Sequence, residues 1–212
     1  MKQLLILTFS LAVLCPFSAS ATENANKPPR VSFGPGGVTV GDLKPGTHVA
    51  WMAVIREPRN FHVATRILRG YGPATPNSDF AIAHEAADEA SGIWTVVDVD
   101  SGSAVHTKPE TMVMSRRPIR IEAISGETSV RIGSNAVEVL YVRPRRGAWT
   151  FSGADGGGLD ADGEQNGAVV MRLQSLQRLK GNPEPPGAVE GGDLVLVIDP
   201  RRLRTATFEV QP

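Results

Sequence analysis

The nearest approach to a metalloenzyme motif in this sequence is His84-Glu85-Ala86-Ala87-Asp88. In the H-E-x-x-H pattern two imidazoles one helical turn apart ligate zinc and the glutamate activates water. Here the second ligand position holds Asp88, and only His48, His62 and His106 remain to supply another imidazole. The segment reads better as a polar surface loop or turn. A denser set of oxygen ligands lies between Gly153 and Gly167, where Asp155, Asp160, Asp162, Glu164 and Asn166 are close in sequence. Asp160, Asp162 and Glu164 have the spacing of the first three Ca²⁺ ligands of an EF-hand loop. The positions that should then hold Gly and Glu hold Gln165 and Met171. Ca²⁺, on Asp155, Asp160, Asp162 and Asn166, is the one cofactor the sequence raises. The competing reading is an exposed hairpin loop between Phe151 and Val169 built on Asp-Gly and Asn-Gly turns.

Other chemistry finds less material. No G-x-S-x-G elbow is present, and all four histidines fall before residue 107. A carboxylate pair such as Asp98 and Asp100 has the composition for glycoside hydrolysis. Strand positions i and i+2 lie about 7 Å apart on one face, however, and aspartate at a strand end is ordinary turn chemistry. Arginine outnumbers lysine 17 to 5, in clusters at 116–120, 143–146 and 201–204. Guanidinium forks of this kind grip carboxylate or phosphate, and Arg145 and Arg146 are the cluster members expected to face a ligand. Trp51 and Trp94 fall inside apolar strands and are expected in the core. Tyr71, in Gly70-Tyr71-Gly72-Pro73, and Trp149 are expected to be the freer rings.

The elements that must position these groups read as strands. Short runs rich in Val, Ile, Thr and Trp alternate with Gly, Pro, Asp and Asn, among them residues 48–56, 61–69, 93–99, 137–143, 194–199 and 205–210. Segments 49–55 and 194–198 are apolar at every position, as in central strands covered on both faces. Many short strands without amphipathic helices between them mean an all-β sandwich or barrel. The order of blocks repeats. Val54-Ile55-Arg56 is echoed by Tyr141-Val142-Arg143, and Gly92-Ile93-Trp94-Thr95-Val96-Val97-Asp98 by Asp193-Leu194-Val195-Leu196-Val197-Ile198-Asp199. Matching Arg56 to Arg143 leaves about fourteen extra residues in the second half, assigned to the 153–167 stretch. The chain is therefore read as two immunoglobulin-like β-sandwich domains in tandem, residues 31–108 and 118–212, joined by a linker at 109–117. One larger β-sandwich is the alternative.

Residues 1–21 carry Lys2, an apolar run from Leu4 to Leu14 and Ala19-Ser20-Ala21, the order of a secretory signal peptide cleaved near Ala21. Residues 22–30 are polar and proline-rich and read as a disordered lead-in. Removing 1–21 takes away Lys2 and Cys15, leaving 21 basic against 22 acidic groups and no cysteine. Thiol and cysteine-metal chemistry are then excluded. Near-neutral charge gives no reason to expect nucleic acid, and the protein is expected to be peripheral to a membrane at most. The function expected from these features is non-enzymatic: an exported, periplasmic or extracellular sandwich that binds an envelope polysaccharide or protein, or has a structural role there. Its ligand-facing loops are expected at 70–79 and 153–167. The alternatives are a secreted carboxylate-dependent polysaccharide or cell-wall hydrolase and a chaperone-like component that pairs a partner strand at a sheet edge.

Overall fold

A computed structural model describes residues 27–34, 37–59, 62–77, 79–83, 92–107, 118–155 and 167–212. The signal sequence, His84–Asp88, the linker at 109–117, and Asp160, Asp162, Glu164 and Asn166 lie outside them. The described chain is all-β. The first seven strands are β1 (Arg30–Gly34), β2 (Gly37–Gly41), β3 (His48–Arg59), β4 (His62–Pro73), β5 (Phe80–Ala83), β6 (Gly92–Asp98) and β7 (Ala104–Thr107). The others are β8 (Ile121–Ala123), β9 (Ser129–Ile132), β10 (Ala136–Arg143), β11 (Gly147–Ala154), β12 (Val169–Arg172), β13 (Gln177–Arg178), β14 (Leu194–Asp199) and β15 (Arg204–Glu209), with a 3₁₀ turn at Leu173–Ser175.

Among the described residues four antiparallel sheets form, and none of them closes into a barrel. The first half makes a β1-β2-β5 sheet and a β4-β3-β6-β7 sheet; the second makes β8-β9-β12 and β13-β11-β10-β14-β15. Apart from the two-residue β13, the strand order of the second half repeats that of the first. The pairing registers correct the sequence alignment of the halves. Val54 pairs with Ile93 and Val49 with Asp98, whereas Val142 pairs with Leu194 and Glu138 with Ile198. With Asp98 matched to Asp199, Arg143 therefore stands opposite Ile55 rather than Arg56. A one-residue slip of this kind moves a side chain to the other face of the sheet. The extra residues also sit elsewhere than expected, between β12 and β14, where Arg172 to Leu194 replaces the shorter Ala83 to Gly92 connection. The longer β11–β12 connection is offset by the longer β3–β4 hairpin of the first half.

Alternation along the central strands sorts the sheets into a stack. On β3, Val49, Ala53 and Ile55 pack with Val38, Val40, Ile82, Trp94 and Val96 beneath the β1-β2-β5 sheet. Ala50, Met52 and Val54 point the other way, and with Ile93 and Val97 they pack against Leu140, Val142, Leu194, Leu196 and Ile198 of the second half. The remaining face of β10 and β14 presents Val139, Tyr141, Val195 and Val197 to Val130, Ile132 and Met171 of the β8-β9-β12 sheet. The two large sheets are thus covered on both faces, which is why β3 and β14 carry no polar alternation. The middle layer is made of aliphatic side chains no more than 6% exposed, the composition of a core rather than of a polar contact surface.

Polar bonds close the seam on either side of that middle layer. Arg69 on β4 donates to Thr150 Oγ1 at 3.0 Å and Ser152 Oγ at 3.2 Å on β11, and to Gln177 Oε1 at 3.1 Å. On the opposite edge the His106 ring bridges Thr95 Oγ1 (2.7 Å) and Thr207 Oγ1 (2.8 Å). The strand reading missed β1, β5, β7 and the two-residue β13. β1 begins where a disordered lead-in was expected, because Val31 and Phe33 alternate into the first core and Lys27 pairs with Asp42 at 3.2 Å.

Candidate functional site

Where the two halves meet, the β6–β7 loop and the β10–β11 turn face each other. Asp98 ends β6 and is buried, 7% exposed. Its Oδ1 accepts the N–H groups of Asp100 (3.0 Å) and Ser101 (3.2 Å) and the Thr47 hydroxyl lies 2.6 Å away. Aspartate is suited to this position because its short carboxylate can cap the turn that follows it. Asp100, about half exposed, has Oδ2 2.8 Å from the same Thr47 hydroxyl and accepts the His48 N–H at 3.0 Å. One oxygen of each carboxylate is therefore anchored to the loop. From the second half, Arg145 donates its backbone N–H to Val99 O at 2.9 Å. It adopts the left-handed conformation, φ 63°, rare for a residue with a Cβ.

These loops border a cleft of about 540 Å³ lined by Lys44, Thr47, Asp98, Asp100 and Ser101 of the first half and Pro144 and Arg145 of the second. A neighbouring cleft of about 330 Å³ shares Lys44, Asp98 and Ser101. Among the described residues no ion pair joins Lys44 or Arg145 to either carboxylate. The site therefore holds separate positive and negative poles, and can recognise a ligand bearing both charges or many hydroxyls. Of the residues singled out from sequence, Arg145, Asp98 and Asp100 are brought together here. Lys44, Thr47 and Pro144 were missed; nothing in their spacing marks them, because they meet only through the packing of one half on the other.

The remaining candidates are dispersed. Tyr71 lies on β4 rather than on an exposed loop, half-buried and stacked on His48 with ring centroids 5.3 Å apart. Burial, and then the charge of Asp100, push its phenol pKa up. Trp149 is 2% exposed, packs on Tyr141 and donates from Nε1 to Pro183 O at 3.0 Å. It is a core residue, and the expectation of a free ring fails because β11 is covered by residues 179–189, which come from the insertion. Arg146 is exposed, 3.9 Å from Glu190. Asp155 accepts the Ala168 N–H at 3.0 Å and lines a separate cleft with Arg120 and Arg131. Among the described residues no group of three or more His, Cys, Asp or Glu side chains is placed to hold a metal.

Two buried networks were also illegible in the sequence. Asp193, 1% exposed, accepts Arg143 Nε and Nη2 at 2.7 Å each, the Glu190 N–H at 2.7 Å and the Tyr141 hydroxyl. Burial first, and then Asp193, hold the Tyr141 phenol far above the ordinary tyrosine range, while the hydrogen bond to Asp193 raises Arg143. On the β14–β15 turn, Asp199 Oδ1 accepts the N–H groups of Arg201 and Arg202 at 2.9 Å, and Oδ2 is held by Arg204 Nη2 at 2.8 Å and by Ser134 Oγ at 2.8 Å.

No protein-family model matches the chain, and no curated protein does. Among solved structures it is similar to red sea bream transglutaminase, at 9% identity and a TM-score of 0.22, over 88% of this chain and 32% of that one. The chain thus spans about a third of that protein's length, and the likeness is too slight to bear on fold or activity.

Proposed function

We propose that the chain is an exported, non-enzymatic protein of two immunoglobulin-like sandwich modules, docked face to face, that binds an envelope polysaccharide or protein at the cleft between them. Lettering the strands of each half A to G, A, B and E form one sheet, and C, F and G with D added form the other. The constant-type immunoglobulin sandwich differs only in having D on the ABE side. The observation that carries the functional reading is the junction cleft, where the Lys44 and Arg145 cations and the Asp98 and Asp100 carboxylates come from two modules held in register by a shared core. Fixing recognition groups on a frame that does not move lowers the ordering cost of binding. Sedimentation of the purified protein with isolated cell envelopes tests this reading. Binding is expected, reduced at least tenfold by Lys44→Ala with Arg145→Ala; envelope binding that ignores the double substitution would contradict the assignment of the cleft.

Hydrolysis by carboxylates is the second reading, favoured by one observation: Asp100 stands about half exposed beside the buried Asp98 in the same cleft. It requires turnover of glycan substrates that Asp100→Asn abolishes.

A further inference from the structure

The two halves use one device at one place and leave it unfinished in the first. At the end of β14, Asp199 caps its turn with Oδ1, and Arg204, its cross-strand partner, closes Oδ2 with two guanidinium contacts at 2.8 and 3.2 Å. At the end of β6, Asp98 caps its turn in the same way, on residues two and three positions ahead. Its partner across the hairpin is Ser103, whose carbonyl accepts the Asp98 N–H at 2.9 Å. Gly102 and Leu203, the residues before the two partners, both have positive φ, 74° and 54°. The turns therefore match residue for residue, with serine in place of the arginine. Among the described residues no donor reaches Asp98 Oδ2, and that oxygen is not one of the buried polar atoms left without a partner, so it stays open to solvent while Oδ1 holds the turn. The open oxygen belongs to a residue that lines the junction cleft together with Lys44 and Arg145, exposed residues whose side-chain cations have no acceptor among the described residues.

We propose that the junction cleft binds a basic amino acid, free or as the C-terminal residue of a peptide, with its guanidinium or ammonium on Asp98 and its carboxylate between Lys44 and Arg145. The ligand's cation takes the place that Arg204 fills in the second half. A planar guanidinium is the better match, since that is the group the sibling site holds, and charge-assisted bonds to a largely desolvated carboxylate are the strong ones. The two cations explain why a bare amine does not suffice: without a carboxylate to offset them, they repel it. This assignment rests on the cleft being the binding site and names what enters it.

Calorimetric titration of the full-length protein with L-arginine, the tripeptide Gly-Gly-Arg, agmatine and L-norvaline tests it. Saturable binding is expected for arginine, the tripeptide or both, at least tenfold weaker for agmatine, which lacks the carboxylate, and for norvaline, which lacks the guanidinium. Preference for the tripeptide over arginine identifies a peptide end as the source; the reverse identifies the free amino acid. Asp98→Asn is expected to weaken binding at least tenfold. Because Asp98 also caps its turn, the decisive variant is Ser103→Arg, which supplies the missing guanidinium from within the chain and is expected to abolish binding while the circular dichroism spectrum is unchanged. No saturable binding at 10 mM, or binding that survives Ser103→Arg, overturns the proposal. If envelope binding remains sensitive to Lys44→Ala with Arg145→Ala in that event, the cleft stands and only its ligand is wrong; if it is insensitive, both fail.

Discussion

The Asp193 carboxylate ties a strand of the second half to the loop that precedes β14. It neutralises Arg143, receives the Tyr141 hydroxyl and fixes the start of the loop at 190–193, all at about 1% exposure. Removing one member of such a buried pair leaves the other charge uncompensated, at a cost of about 3–5 kcal/mol. Asp193→Asn is therefore expected to lower the melting temperature by on the order of 10 °C, as followed by circular dichroism; a change under about 2 °C would show that the pair is not held as described. Glu138 acts in the opposite sense. It sits in the seam with Ser152 and Arg69, and burial raises its pKa above 4.5 despite both partners. The folded state then holds this proton more tightly than the unfolded chain does. Its contribution is fully present below 4.5 and is lost as pH rises through the raised folded value. Glu138→Gln is expected to be more stable than the wild type at pH 7 and to flatten the stability profile in the weakly acidic range; urea denaturation from pH 4 to 7 measures it, and a steeper profile would contradict the sign. Little of this residue-level detail was legible. Turn duty for Asp98 could be read from its place at a strand end, but the burial of Trp149 could not, because what covers it is a loop remote in sequence.

The hairpin of β3 and β4 shows how an element can depend on one missing side chain. Gly70 pairs across from Trp51, and a Cβ at that position would come within 2.6 Å of the indole ring. The ring in turn packs on Trp94 at 5.7 Å. Gly70→Ala should cost about 1–3 kcal/mol as the pair is forced apart, visible in both the denaturation midpoint and the tryptophan emission. An unchanged midpoint would mean the ring moves freely. The elements themselves were the most legible feature of the sequence. Strands β3, β4, β6, β10, β14 and β15 all fall on the expected apolar runs, since a buried strand needs apolar residues whatever it packs against. β5 and β7 are four residues each and carry no more signal than a loop. The correspondence between Arg56 and Arg143 was off by one because identity of residue type is weak evidence of register, which pairing decides.

At the scale of the whole molecule, the layer between the β4-β3-β6-β7 and β13-β11-β10-β14-β15 sheets decides how the protein behaves. Sequence showed that 49–55 and 194–198 are covered on both faces but not that they cover each other. Leu196, fully buried in that layer, tests its weight: Leu196→Ala should destabilise by about 2–5 kcal/mol. Neither half could lose its partner without exposing a face of Met52, Val54, Leu140 and Leu196 to water. The direct measurement is differential scanning calorimetry of the purified protein. A shared core predicts one transition in which the calorimetric and van't Hoff enthalpies agree, shifted as a whole by Leu196→Ala. Two resolved transitions, with Leu196→Ala moving one and leaving the other in place, would show instead that the halves fold separately and that the cleft between them is no fixed site.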